Sequence, residues 1–141
     1  MKTLRACALL ATIVVSGLLA AGPRASRIVS TTLVTDEILS GLVAPSRVAG
    51  FSQYAKDGAV SNVAEIARQV NVFADRNPEQ IVRLRPDLVV FASYSRIDLK
   101  NLIRQLGIPS LEIKQFGTIA DIEGNIRLVA GAVGEQSAER T

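Results

Sequence analysis

The chain has 141 residues, enough for one compact domain rather than two. Hydrophobic residues make up 48% and aromatics only 4%, so the core has to be aliphatic. The formal net charge of +3 is not gathered into a basic run with interleaved aromatics, which excludes a nucleic-acid footprint.

The N-terminus reads as a secretory signal over residues 1–25. Lys2 and Arg5 precede an almost wholly apolar stretch, Ala6–Ala21, and small residues follow at Ala20-Ala21-Gly22. The alternative is an anchor that stays attached, but the stretch is short for a membrane span of about 20 residues. Cys7 is the only cysteine and is expected to leave with the leader. The mature protein then has no disulfide and no cysteine metal site.

Beyond the leader the periodicity alternates between strand and helix. A first strand over Arg27–Thr32 runs into Ser30-Thr31-Thr32. A helix follows from Asp36 to Leu42, with Thr35 as its N-cap and Asp36 and Glu37 complementing the helix dipole. Ala44-Pro45-Ser46 is a turn. The second strand, Val48–Phe51, ends in Ser52-Gln53-Tyr54. A polar loop and a short helix over Asn62–Gln69 come next. Asn77-Pro78-Glu79-Gln80 combines a cap, a first-position proline and a capping-box partner. That helix stops at Leu84 because the residue before Pro86 avoids the α region. Leu88–Phe91 is an unbroken apolar run, as expected of a strand covered on both faces, and it leads into Ser93-Tyr94-Ser95. A helix over Asp98–Leu106 stops at Gly107, and a fourth strand, Ser110–Ile113, ends in Lys114-Gln115-Phe116. The last helix starts at Thr118, with Asp121 three residues on. Its stripe of Ile119, Ile122, Ile126, Val129 and Val133 has nothing after it in the chain to cover it, so part of that stripe is expected to face solvent.

This pattern predicts an α/β fold: an open, mainly parallel four-stranded sheet flanked by helices. Each strand ends in small polar and aromatic residues, and in open α/β sheets ligands bind beyond the carboxyl ends of the strands. Catalytic chemistry is sparse. There is no histidine, hence no Ser-His-Asp triad and no imidazole metal ligand. The turn after the first strand lacks a Gly-x-Gly-x-x-Gly fingerprint, and no phosphate-binding Gly-x-x-x-x-Gly-Lys loop occurs. The carboxylate pairs lie in first helical turns, where dipole compensation explains them. No catalytic residue, resident metal or cofactor is assigned. A binding lobe, an independent flavodoxin-like enzyme or nucleotide domain, and a fragment or interaction module whose last helix seeks a partner all remain open on this reading.

Several segments resemble the periplasmic solute-binding proteins of ABC importers for iron-siderophores and cobalamin. They are Arg27-Ile-Val-Ser-Thr-Thr-Leu-Val-Thr-Asp-Glu-Ile-Leu39, Arg47-Val-Ala-Gly-Phe-Ser-Gln-Tyr54, Asn77-Pro-Glu-Gln-Ile-Val-Arg-Leu-Arg-Pro-Asp-Leu-Val-Val90 and Leu106-Gly-Ile-Pro109. The resemblance implies two α/β lobes joined by a long helix, with a metal-chelate held between them and passed to a membrane permease. It implies a ligand-binding lobe over residues 26–117, and in residues 118–141 the truncated start of the inter-lobe helix. A separate second-lobe chain, or self-association through the last helix, would then complete the cleft.

The polar strand ends point to Thr31, Thr32 and Gln115 as ligand-binding residues, and the resemblance puts Tyr54, Phe73, Ser93 and Tyr94 on the ligand. Tyr54 and Phe73 match aromatic positions of a cobalamin-binding relative, whereas Ala92 stands where that relative has a bulky aromatic. Arg76 and Arg96 would meet ligand carboxylates or phosphates. Glu79 matches the glutamate that docks on a permease arginine. Lack of histidine argues against the related zinc and manganese binders and favours an already chelated metal.

Overall fold

The computed structural model describes residues 24–72 and 77–135. The leader lies almost wholly outside these residues, as do Cys7, Phe73 and Arg76. The strands are β1 (Ile28–Ser30), β2 (Val48–Gly50), β3 (Leu88–Ala92) and β4 (Ser110–Ile113). The helices are α1 (Leu33–Leu42), α2 (Ala64–Ala67), α3 (Pro78–Arg83), α4 (Ile97–Gln105) and α5 (Ile119–Val133). All strand pairs are parallel, in the order β2-β1-β3-β4. The chain goes from β1 outward to β2, then returns to place β3 on the other side of β1. The sheet therefore has its topological switch point between β1 and β3.

The apolar run of β3 explains this layering. All five of its residues are buried, and successive side chains point to opposite faces. Leu88, Val90 and Ala92 join a core with Ile28, Leu39, Phe51, Val129 and Val133. Val89 and Phe91 join a second core with Ile81, Leu99 and Ile103. Thus α1 and α5 cover one face and α3 and α4 the other. Each such fully buried side chain is worth roughly 1.5–3 kcal/mol relative to exposure.

The boundaries differ from the sequence reading where side chains compete for backbone groups. β1 stops at Ser30, and Thr32, not Thr35, is the N-cap of α1. Thr35 is the third helical residue and completes a capping box: its N–H donates to Thr32 Oγ1 at 3.4 Å, and Thr32 N–H donates to Thr35 Oγ1 at 3.1 Å. Asn77 caps α3 through the N–H of Glu79 at 3.1 Å, one residue earlier than the capping-box spacing predicts. Gly107 takes φ of 69° and closes α4 in a Schellman motif, with Ile108 N–H donating to the carbonyl of Ile103 at 3.1 Å.

The largest correction concerns α5. Thr118 and Asp121 cap it as expected, but its buried face is Asn125, Val129, Ala130 and Val133. Ile119 is 81% exposed and Ile126 39% exposed, so the apolar stripe is rotated from the one read in the sequence. The helix packs on the sheet beside α1 and ends at Gly134 in a second Schellman motif, Glu135 N–H donating to Ala130 O at 2.8 Å. Val129 and Val133 therefore do not face solvent. Among the described residues no helix is long and apolar enough to cross a membrane.

Candidate functional site

A cleft opens beyond the carboxyl ends of β1 and β3, at the switch point. Its volume is about 330 Å³, and Thr31, Thr32, Leu33, Tyr54, Tyr94 and Ser95 line it. Doubly wound sheets hold ligands at this place, and small-molecule pockets run from roughly 300 to 1,000 Å³.

Hydroxyl groups tie the two strand ends together at its floor. Thr31, only 2% exposed, donates from Oγ1 to the carbonyl of Val90 at 3.0 Å. The same oxygen lies 3.2 Å from Ser95 Oγ, which accepts the N–H of Ala92 at 3.1 Å. Thr31 is thus committed to the fold, and Thr32 to capping α1. Tyrosine rings form the walls. Tyr54 and Tyr94 are the only tyrosines of the chain, and they are 51% and 66% exposed. The Tyr94 ring leans on Phe116 at a centroid distance of 5.8 Å and an interplanar angle of 54°. Exposed aromatic faces on either side of one opening suit a flat, largely apolar guest.

Each tyrosine sits on a turn held by one buried charge. Asp36 of α1 is fully buried. Its carboxylate accepts from Ser52 Oγ at 2.5 Å and from Ser52 N–H at 3.1 Å, two residues before Tyr54. Burial pushes the Asp36 carboxyl up from its ordinary range, while hydrogen bonds from Ser30 and Ser52 oppose the rise. Lys100 of α4 is 5% exposed. Its ammonium donates to the carbonyl of Ser93 at 2.8 Å, one residue before Tyr94, and to Glu112 of β4 at 3.1 Å. Arg104 also reaches Glu112, at 3.0 Å. The Lys100 hydrogen bond, then the nearby positive charges, hold the Glu112 carboxyl below its ordinary range.

Thr31, Thr32, Tyr54 and Tyr94 are brought together, as the sequence reading expects. Ser93 contributes backbone to the turn and does not line the cleft. Gln115 lies elsewhere: it lines a second, shallower groove of about 530 Å³ between the end of β4 and α5, with Lys114, Asp121 and Leu128. Asn125 of α5 draws its carbonyl away at 2.6 Å. Arg96 makes an exposed ion pair with Asp98, and Ala92 is fully buried. Glu79 is exposed in the first turn of α3, where a carboxylate complements the helix dipole. Sequence reasoning did not single out Leu33, which it read as part of the turn after the first strand. It placed Ser95 in the polar cluster after β3 but not in the site. It gave no role to Lys100 and took Asp36 for a dipole charge. Among the described residues no group of three or more His, Cys, Asp or Glu is gathered.

A doubly wound lobe with an open cleft at its switch point has the architecture of a binding-protein lobe. The sequence profile of the periplasmic binding protein family matches residues 28–141, and the chain belongs to that family. Its fold is that of solved family structures. The periplasmic heme-binding protein RhuT from Roseiflexus sp. RS-1 superposes with a TM-score of 0.67 at 25% identity, over 79% of this chain and 42% of that one. A possible iron-binding periplasmic solute-binding protein from Staphylococcus epidermidis gives 0.68 at 16% identity, over 82% and 45%. A periplasmic heme-binding protein from Pseudomonas aeruginosa gives 0.67 at 15% identity, over 80% and 40%. The chain thus spans less than half the length of these structures. No curated protein matches it.

Proposed function

We propose that this chain is one lobe of the solute-binding component of an ABC importer, exported to the periplasm or cell surface. Its cargo is an organic metal chelate, with heme the leading case and an iron-siderophore or a corrinoid the alternatives. The observation that carries the reading is the cleft itself: both tyrosines of the chain expose their rings at the switch point of a parallel sheet. The description of solved relatives as heme-binding or possible iron-binding proteins supports the choice of cargo. The absence of histidine in the whole chain supports a metal that arrives already chelated.

On this reading residues 26–117 together with α5 make one wall of the site, and a second lobe makes the other. Glu79 docks on a cationic group of the permease, setting orientation more than affinity. The protein binds and releases; it carries out no reaction.

Titration of the full chain with hemin, a ferric hydroxamate siderophore and cyanocobalamin tests the cargo. A Soret shift on hemin addition that is lost in Tyr54→Ala and Tyr94→Ala supports the heme reading. No spectral change with any of the three would overturn it. One wall buries only part of a ligand, so affinity is expected to be at least about a hundredfold weaker than a closed two-lobe site gives. Submicromolar binding by a monomer would contradict the need for a second wall.

A further inference from the structure

Two buried charges, Asp36 and Lys100, repeat one arrangement on opposite sides of the cleft. Each stands on the helix that follows a strand ending at the cleft. Each reaches a residue just ahead of a tyrosine: Asp36 takes the N–H and hydroxyl of Ser52, and Lys100 takes the carbonyl of Ser93. Taking a charge out of water costs several kcal/mol unless partners replace the lost solvent. The helices could have closed on the sheet with apolar side chains at both positions, as Leu39 does on α1 and Ile103 on α4. The partners these charges have are backbone groups and a hydroxyl in the two tyrosine-bearing turns, together with the Ser30 hydroxyl for Asp36 and Glu112 for Lys100.

From this geometry we infer that Asp36 and Lys100 are positioning residues, Asp36 aiming Tyr54 and Lys100 aiming Tyr94 into the cleft. Neither side chain lines the cleft, so neither touches a guest lodged there. Their effect passes through two and one residues of backbone respectively. The turns have further ties: Asp57 N–H donates to Tyr54 O at 3.0 Å, Ser95 Oγ accepts the N–H of Ala92 at 3.1 Å, and the Tyr94 ring leans on Phe116. The Ser52–Ala55 turn is closed by one backbone bond of 3.1 Å and by burial of Ala55. The turn at Ser93 has the Ser93 N–H on Ile113 O at 2.8 Å and the Ser95 N–H on Ala92 O at 2.9 Å, which fix its ends and leave the Ser93 carbonyl to Lys100.

The importance of these positions for binding rests on the function proposed above, but the positioning itself has an independent readout. The chain has two tyrosines and no tryptophan, so full-length protein labelled with 3-fluorotyrosine gives one fluorine resonance per cleft ring. Tyr54→Phe and Tyr94→Phe assign them. Lys100→Met is expected to move the Tyr94 resonance and leave that of Tyr54, and Asp36→Leu to do the reverse. Glu112→Gln and Ser52→Ala are milder changes to the same two anchors and are expected to give the same selectivity should either first variant fail to fold. Hemin affinity is expected to fall about tenfold in each folded variant, the loss of roughly one well-placed contact. Folded variants with both resonances at wild-type positions, or with both moving together, would overturn the inference. Wild-type protein that ignores hemin while the resonances still move selectively would sink the heme reading and uphold the positioning role.

Discussion

The two ends of the sheet are built differently. At the amino end, where strands begin, side chains are spent on tying chain segments together. Arg47, just before β2, donates to the carbonyl of Ala25 at 2.7 Å, to that of Val133, and to Glu135 at 2.6 Å. Arg24 reaches Gly134 O at 3.2 Å. Asp87, just before β3, accepts the N–H groups of Ser26 at 2.8 Å and Arg27 at 3.0 Å. At the carboxyl end the groups that line the cleft are hydroxyls and open aromatic rings, and charge is kept one shell behind them. Charge ties segments together at one end and stays behind the lining of the opening at the other, a division that suits the proposed binding role.

Changes at the amino end should cost stability and spare binding. Arg47→Met is the largest: it takes the donor from two carbonyls and leaves Glu135 its longer pair with Arg24 at 3.7 Å, a loss of up to about 3 kcal/mol. Urea unfolding should show the loss, and a change below about 0.5 kcal/mol would mean that the clamp is incidental. Next is Gly134→Ala. Gly134 has φ of 76°, and an added Cβ would meet Cγ of Arg24 at 2.8 Å. Left-handed backbone costs a non-glycine residue about 1–2 kcal/mol. Gly107→Ala, at φ of 69° with open space around it, isolates that backbone cost and should be the milder of the two. Equal losses at both sites would remove Arg24 from the account.

Changes at the carboxyl end should do the opposite. Tyr54→Ala and Tyr94→Ala are expected to shift stability by under about 1.5 kcal/mol, the Tyr94 loss coming from its contact with Phe116. Both should weaken hemin binding by about tenfold or more. A Tyr94→Ala protein that unfolds readily but binds normally would invert the division between the two ends.

The smallest effect is in acid, and its sign differs between the ends. Partial desolvation raises the Asp87 carboxyl, but hydrogen bonds from Ser26 and Arg27 outweigh it and hold the group below its ordinary value of 3.8. Folding therefore gains from Asp87 above that value, and the gain is lost as pH falls through the lower folded value. Asp36 is raised, so its ionised form is penalised above the raised folded value; the penalty is relieved as pH falls through that value and is gone below the ordinary 3.8. Asp87→Asn should thus be less stable than wild type near neutrality, with the gap closing in strong acid. A gap that widens on acidification would contradict the assigned direction.

Local pattern was enough for the architecture. The β3 run reads as a strand covered on both faces because it is short, unbroken, rich in valine and bounded by turn residues, and Gly107 stops α4 in left-handed backbone. The polar tips after β1, β2 and β3 marked the binding edge for the same reason, since strand ends are visible in composition. What local pattern misjudged depends on rotation and distance. The buried face of α5 is decided by its fit against β4 and α1, which turns Ile119 outward and Asn125 inward.

Sequence by itself determined the order of elements, the parallel sheet, the edge where a ligand would sit, and through its resemblance the family. Only tertiary structure decided that Tyr54 and Tyr94 face one cleft while Gln115 lines another groove. It also decided that Asp36 and Lys100 are buried anchors rather than surface charges. The reason is physical: helix and strand periods are properties of neighbouring residues. The partner of a buried charge is set by which distant turn the packed sheet brings within about 3 Å, the reach of a hydrogen bond.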